Sequence, residues 1–131
     1  MIGLDTNVLV RYITQDDPIQ SVKATVWIEG RLTPDNPGFI SIVAMAETVW
    51  VLERTYGLSD HEIAAFIERL LEADVLVVEN AQQVFTAMVT LRKNLGSFAD
   101  ALIAALGAKA GCIDTLTFDQ KALRLPGFAL A

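Results

Sequence analysis

The sequence has few of the side chains that form several common catalytic centres. It contains one cysteine, Cys112, and one histidine, His61. A lone cysteine cannot form a disulfide within the chain, which favours a reducing, cytoplasmic setting. Zinc prefers several Cys and His ligands, and Cys112 and His61 lie far apart in the sequence, so we expect neither a zinc site nor a Cys-His or Ser-His-Asp centre. We expect His61 to be exposed in a capping turn, and Cys112 to be an inert core residue in a strand.

Long apolar runs and phosphate-binding glycine motifs are also missing. No run approaches the roughly 18 apolar residues that span a bilayer, and no signal peptide is indicated, so we expect no membrane partner. Neither G-x-G-x-x-G nor G-x-x-x-x-G-K-[ST] occurs, which excludes the common dinucleotide and P-loop sites. The chain has fewer basic than acidic residues: 10 Lys and Arg against 16 Asp and Glu, which gives a net charge of −6. Taken alone, this balance argues against binding nucleic acid.

The composition indicates one folded domain over residues 1–131. The chain is 53% hydrophobic, and its mean hydropathy is +0.41. That content favours a large core and, because no membrane segment is present, a buried partner surface as well. Most of the large apolar side chains on predicted helical faces are expected in the core: Trp27, Trp50, Phe66, Phe85 and Met88.

Apolar segments alternate with helical patterns along the chain. Strands are predicted at 1–4, 38–41, 75–78 and 112–116, with a last strand that includes Phe128. Helices are predicted at 6–14, from Asp17-Pro18 to about Glu29, at 42–56, at 60–72, from Asn80 to about Leu95, and at 98–110. Strands that are apolar throughout predict an α/β fold, with a small central parallel sheet flanked by helices on both faces.

Two aspartates lie at predicted strand ends. Asp5 follows the first strand, and Asp119 follows the strand 112–116 in the stretch TLTFD. Open parallel sheets place their sites at the carboxyl ends of strands, so both carboxylates are candidate site residues. Each could instead cap the helix that follows it.

Glu47 lies in the strongly apolar helix SIVAMAETVWVLER. Its neighbours one turn away are Val43, Ala44, Trp50 and Val51, and none of them can form an ion pair with it. A buried, unpaired carboxylate costs several kcal/mol or raises its pKa, and a bound cation would compensate. The alternative is that Glu47 lies at a rim and reaches water.

Asp100 repeats this pattern in SFADALIAAL, where no basic neighbour is available. Ser97-x-x-Asp100 is also a plausible capping box, and a capping carboxylate still has one oxygen for a ligand. Four acids are therefore candidates for one pocket: Asp5, Glu47, Asp100 and Asp119. Converging carboxylates need a counter-charge, and oxygen ligands favour Mg²⁺ or Mn²⁺.

The stretches LDTN, AE, FADALIAA and TLTFD, in this order, resemble the PIN-domain nucleases. The chain is most similar to the VapC-type toxins of bacterial toxin–antitoxin modules. The resemblance implies a PIN-like fold, cleavage of RNA, a homodimer and a cognate antitoxin protein. It also implies one or two Mg²⁺ or Mn²⁺ ions held by Asp5, Glu47, Asp100 and Asp119, with supporting polar residues Thr6, Asn7 and Thr117. Asp114 could replace Asp119 as the fourth acid.

Other functions fit the residues less well. Haloacid-dehalogenase phosphatases need a second acid two residues after Asp5, where this chain has Asn7. Receiver domains need a phospho-accepting Asp after a middle strand, but Val75–Val78 leads into Glu79-Asn80. A PIN-like binding domain without activity stays open. Several basic side chains could contact RNA phosphates: Arg11, Arg54, Arg92, Lys93, Lys121 and Arg124.

Overall fold

The structure is a computed structural model that describes all residues from Met1 to Ala131. Strands and helices follow one another along the whole chain. The chain divides into two compact units, Met1–Ala81 and Gln82–Ala131. The first unit contains β1 (Ile2–Gly3), α1 (Thr6–Thr14), α2 (Gln20–Val26), β2 (Gly38–Ile40), α3 (Ile42–Arg54), α4 (Asp60–Glu72) and β3 (Leu76–Val78). The second contains α5 (Ala81–Arg92, which begins at the boundary), α6 (Phe98–Lys109), β4 (Thr115–Thr117) and β5 (Phe128–Leu130).

Both units contain parallel strands. In the first unit the strand order is β1-β2-β3, and Gly38 is in register with Ile2 on one side and Leu76 on the other. In the second unit β4 pairs with β5, with Thr115 opposite Phe128. The predicted α/β class with parallel strands is therefore confirmed, although the strands form a three-stranded and a two-stranded sheet. None of the helices has the length and apolar content that a membrane crossing requires.

Helix starts follow their local signals. The α1 helix has the predicted bounds, and Asp5 caps it. Ser41 caps α3 by accepting a hydrogen bond from the Ala44 amide, and Ser59 and Glu62 form the predicted capping box at α4. These caps satisfy amides that have no carbonyl partner in the first helical turn.

The α2 helix differs from the prediction at both ends. Its regular turns begin at Gln20 rather than at Pro18, but Asp17 still acts as the predicted N-cap, because its carboxylate accepts hydrogen bonds from the Ile19 and Gln20 amides. It ends in a π-helical turn, Trp27–Arg31. The α5 helix also ends earlier than predicted, at Arg92.

The predicted strand 112–116 is wrong in its position, because β4 covers Thr115–Thr117. Gly111 has a φ of +96°, and the Cys112 amide donates to the Gly107 carbonyl, so this amide closes α6 instead of joining a sheet. Cys112 is exposed, so the expectation that it lies in the core is also wrong. Asp114 lies directly before β4 and not within a strand.

Candidate active site

Asp5 lies between β1 and α1, where a strand end meets a helix N-terminus. Its Oδ1 accepts a hydrogen bond of 2.7 Å from the Thr6 amide, which leaves Oδ2 without a partner in the chain. The side chain is exposed. Asp5 is thus a helix cap that keeps one oxygen available for a ligand.

Thr6 connects this helix start to α3. Its side chain is 8% exposed, and its hydroxyl donates to Glu47 Oε1 at 2.5 Å. The same residue donates its amide to Asp5. Thr6 therefore holds two carboxylates, one from the cap of α1 and one from within α3, and each carboxylate keeps its second oxygen.

A cleft of about 320 Å³, here called the acid cleft, includes Asp5, Thr6, Asn7, Arg11 and Glu47 in its lining. Glu47 is exposed, so the expectation that its carboxylate is buried is wrong and the rim alternative is correct. The apolar neighbours that motivated the expectation do not bury it, because the outer face of α3 is itself apolar. Glu47 thus combines a fixed position with access to water.

One wall of the acid cleft is held by an ionic network around Asp16. Arg11 Nη1 donates to both Asp16 oxygens, at 3.0 and 3.1 Å, and to the Tyr56 hydroxyl at 3.1 Å. Hydrogen bonds from Tyr56 first, then from Thr14, and the Arg11 charge lower the pKa of Asp16 to about 2. The Asp16 contact raises the pKa of Arg11. Sequence reasoning missed Asp16 and Tyr56, because their contacts depend on the packing of α1 against α3.

Asp100 lies in the first turn of α6, in the second unit. Its amide donates a hydrogen bond of 3.1 Å to the hydroxyl of Ser97, which is the N-cap of α6. The reciprocal half of the predicted capping box is absent, because the Asp100 carboxylate accepts no hydrogen bond in the structure. Both oxygens of this half-buried carboxylate are therefore available.

Asp119 is fixed by its neighbours after β4. Its amide donates to Thr117 Oγ1 at 3.0 Å, and its Oδ1 accepts from the Lys121 amide at 2.8 Å. Asp114 is exposed, and its carboxylate accepts no hydrogen bond. Thr117 therefore supports Asp119, and the structure gives Asp119 a defined position that Asp114 lacks.

The acid cleft has the donor chemistry of a magnesium site. Asp5 and Glu47 each offer one oxygen to an open cleft, and Mg²⁺ is often held by one or two carboxylates with waters and substrate phosphates. The structure forms no group of three or more His, Cys, Asp or Glu side chains that could hold a metal ion. The four-acid pocket, with Asp100 and Asp119, therefore stays a prediction. His61 is exposed, as predicted.

Several large apolar side chains are not in the core. Trp27 is 39% exposed, Trp50 56% and Phe85 50%, whereas Met88 is buried and Phe66 is half-buried. The expectation that most of them lie in the core is therefore wrong. Their exposure agrees with the second expectation from composition, namely apolar surface beyond what the core covers.

Comparison with known families gives one match. The model of the PIN domain family matches residues 2–127, a range that includes the acid cleft, Asp100 and Asp119. A search of curated proteins found no match.

Proposed function

Because the chain belongs to the PIN-domain family, whose members are generally nucleases, we propose that it is a metal-dependent endoribonuclease. We further propose that it is the toxin of a type II toxin–antitoxin pair. The observation that carries the nuclease proposal is the pair of carboxylates, Asp5 and Glu47, held at one cleft by Thr6. The toxin assignment is supported by the resemblance of LDTN and FADALIAA to VapC-type toxins.

In this proposal the residues of the acid cleft have different roles in binding the metal and in orienting its ligands. Asp5 and Glu47 would hold Mg²⁺ or Mn²⁺ through their remaining oxygens. A bound metal would neutralise phosphate charge and make a water nucleophilic near neutral pH. Thr6 orients both carboxylates, because its hydroxyl donates to Glu47 and its amide donates to Asp5. No histidine lines the cleft, so a metal-bound water or bulk solvent would supply the proton to the leaving oxygen.

Asp100 and Asp119 enter the proposal from sequence resemblance alone, as further metal ligands. Each has at least one carboxylate oxygen without a hydrogen bond. The proposed homodimer and antitoxin also come from the resemblance. The exposed Val43 and Trp50 on α3 support a protein partner, because large apolar side chains on one helix face favour a covered surface.

One alternative function has a specific observation in its favour. A PIN-like domain that binds a partner without cleaving RNA needs no complete metal site, and no group of three metal-binding side chains is formed. The family match does not support the phosphatase or receiver alternatives. A nuclease assay separates the two functions that remain.

The assay uses purified protein and RNA with Mg²⁺ or Mn²⁺, and EDTA as the comparison. We expect cleavage with metal and none with EDTA. Asp5→Asn, Glu47→Gln and Asp100→Asn should each slow cleavage by at least about 100-fold, since even outer partners of metal ligands cost 10–100-fold. Glu72→Gln, an exposed acid at the end of α4, serves as the matched control and should cleave normally.

A growth assay adds a readout in cells. Expression of the wild type should arrest growth, whereas Asp5→Asn at equal protein level should not. Cleavage that persists in EDTA, or an equal loss in Glu72→Gln, would contradict the metal site. Absence of cleavage under all metal conditions would favour the binding domain.

A further inference from the structure

A second cleft adjoins the acid cleft within the first unit. It encloses about 220 Å³, and its lining includes Asn7, Arg11, Gln20, Lys23 and Trp27. Asn7 and Arg11 also line the acid cleft. They lie one turn apart on α1, so the two clefts share a wall. We call the second one the tryptophan cleft.

Trp27 is a partly exposed aromatic side chain with a cation over its ring. Its side chain is 39% exposed, and the Arg31 guanidinium lies 4.7 Å from its ring centroid. Both residues belong to the π-helical turn that follows α2, and such turns are frequent at functional sites. An exposed tryptophan next to arginine is a surface on which nucleic-acid bases stack.

The charge around the tryptophan cleft favours an anionic occupant. Residues 18–28 contain no acid, and Lys23 is their only charged side chain. Arg11 uses Nη1 and Nε in hydrogen bonds, but its Nη2 makes none within the chain. Lys23 forms no ion pair. The cleft lining thus contains two cations and no acid; Arg11 is paired with Asp16 outside the lining, so Lys23 is the unpaired positive charge at this cleft.

From this geometry we infer that the tryptophan cleft binds a nucleotide of single-stranded RNA beside the bond to be cut. The base stacks on Trp27, while Lys23 and Arg11 contact phosphates. The inference rests on the proposed nuclease function, because it places the flanking nucleotide next to the acid cleft. Single-stranded RNA fits better than a duplex, since paired bases keep their faces stacked inside the helix.

A protein segment is the competing occupant. Ile19, Val22 and Val26 are 65%, 57% and 45% exposed and lie on or beside α2, near Trp27. Such an apolar surface would suit a second copy or a peptide. The cations and the shared wall with the acid cleft favour RNA instead.

The chain offers a direct optical test, because it has only two tryptophans, Trp27 and Trp50. Trp50→Phe leaves Trp27 as the single reporter, and Trp27→Phe leaves Trp50 as the matched control. Single-stranded RNA oligonucleotides are titrated in EDTA, which prevents metal-dependent cleavage. We expect quenching of Trp27 fluorescence and none of Trp50. Duplex RNA and inorganic polyphosphate should not quench Trp27, since neither presents a free base face.

Affinity measurements give an independent readout. Trp27→Ala should weaken binding of single-stranded RNA by about 5- to 150-fold, the range for loss of one stacked base, while Trp27→Phe retains most of the affinity. Lys23→Gln should reduce the dependence of log K on log[salt] by about 0.7, as for one lost contact to a single strand. Lys109→Gln, an exposed lysine in the last turn of α6, should leave the slope unchanged.

Cleavage kinetics with Mg²⁺ separate failure of this inference from failure of the proposed function. Trp27→Ala should raise KM more than it lowers kcat. Cleavage that is normal in Trp27→Ala, with no quenching of Trp27 by RNA, would overturn the inference and leave the nuclease intact. Trp27 fluorescence that changes with protein concentration and not with RNA would assign the cleft to a second copy. Absence of both cleavage and RNA binding would overturn the proposed function itself.

Discussion

Thr6→Val removes the hydroxyl that joins the start of α1 to Glu47 and keeps the shape of the side chain. A hydrogen bond to a charged group contributes about 1.5–3 kcal/mol, but Glu47 is exposed and water can replace the donor. We therefore expect the free energy of unfolding to fall by about 1 kcal/mol, or roughly 3–5 °C in Tm. Under the proposed function, Mn²⁺ affinity and cleavage rate should fall by about 10–100-fold, because Glu47 loses its orienting partner.

Thr6→Ser is the matched variant, because it keeps the donor and loses a buried methyl group worth about 0.8 kcal/mol. The two variants should lose similar stability in thermal melts, but only Thr6→Val should lose metal affinity and cleavage. Thr48→Val removes another hydroxyl, one that donates to the Ala44 carbonyl within α3, and should not affect metal binding. Equal losses of metal affinity in the Ser and Val variants would refute a role for the Thr6–Glu47 hydrogen bond.

Two further predictions concern other carboxylates. The hydrogen bond from Tyr56 contributes most to lowering the Asp16 pKa from 3.8 to about 2. Ionised Asp16 therefore stabilises the fold fully above about pH 3.8, and this stabilisation is lost as the pH falls towards 2. The difference in unfolding free energy between wild type and Asp16→Asn, measured by urea titration, should therefore shrink over this range; a constant difference would contradict the network. Asp119→Asn should slow cleavage more than Asp114→Asn, because only Asp119 is held in place by hydrogen bonds. The reverse ranking in rate measurements would make Asp114 the fourth acid.

Helix starts could be predicted well from the sequence, because their signals are local. Ser59 and Glu62 are three residues apart, and their capping box depends on nothing outside that turn. Asp5 was predicted as a strand-end acid with a possible capping role, and it caps α1 while keeping one oxygen available. The hydrogen bond from Thr6 to Glu47 could not be predicted, because it depends on how α1 packs against α3.

The exposure of Glu47 could not be read from its neighbours. Val43 and Trp50 are apolar but 72% and 56% exposed, so hydrophobic patterning predicted a helix without identifying which side faces the core. The error at β4 has a similar cause. Ile113 is apolar and β-branched yet 95% exposed, because the turn at Gly111 delays the strand. Apolar residues in a turn or on a partner surface give the same pattern as buried ones.

The strand pairing of Gly38 has a consequence for how the chain folds during its synthesis on the ribosome. Gly38 pairs with Ile2 and with Leu76, residues that are far from it in the sequence. Each of these parallel strand pairs therefore forms only after the long connection between its two strands has folded back. Such non-local pairing is slow, because the chain loses the entropy of loop closure before the stabilising contacts form. Thr6, however, contacts both Asp5 and Glu47, and these residues lie at the start of α1 and within α3, which are synthesised before β3. A nascent chain can therefore bring its acid pair together before its sheet is complete, and ribosome-bound chains truncated after α3 and after β3 would show the order.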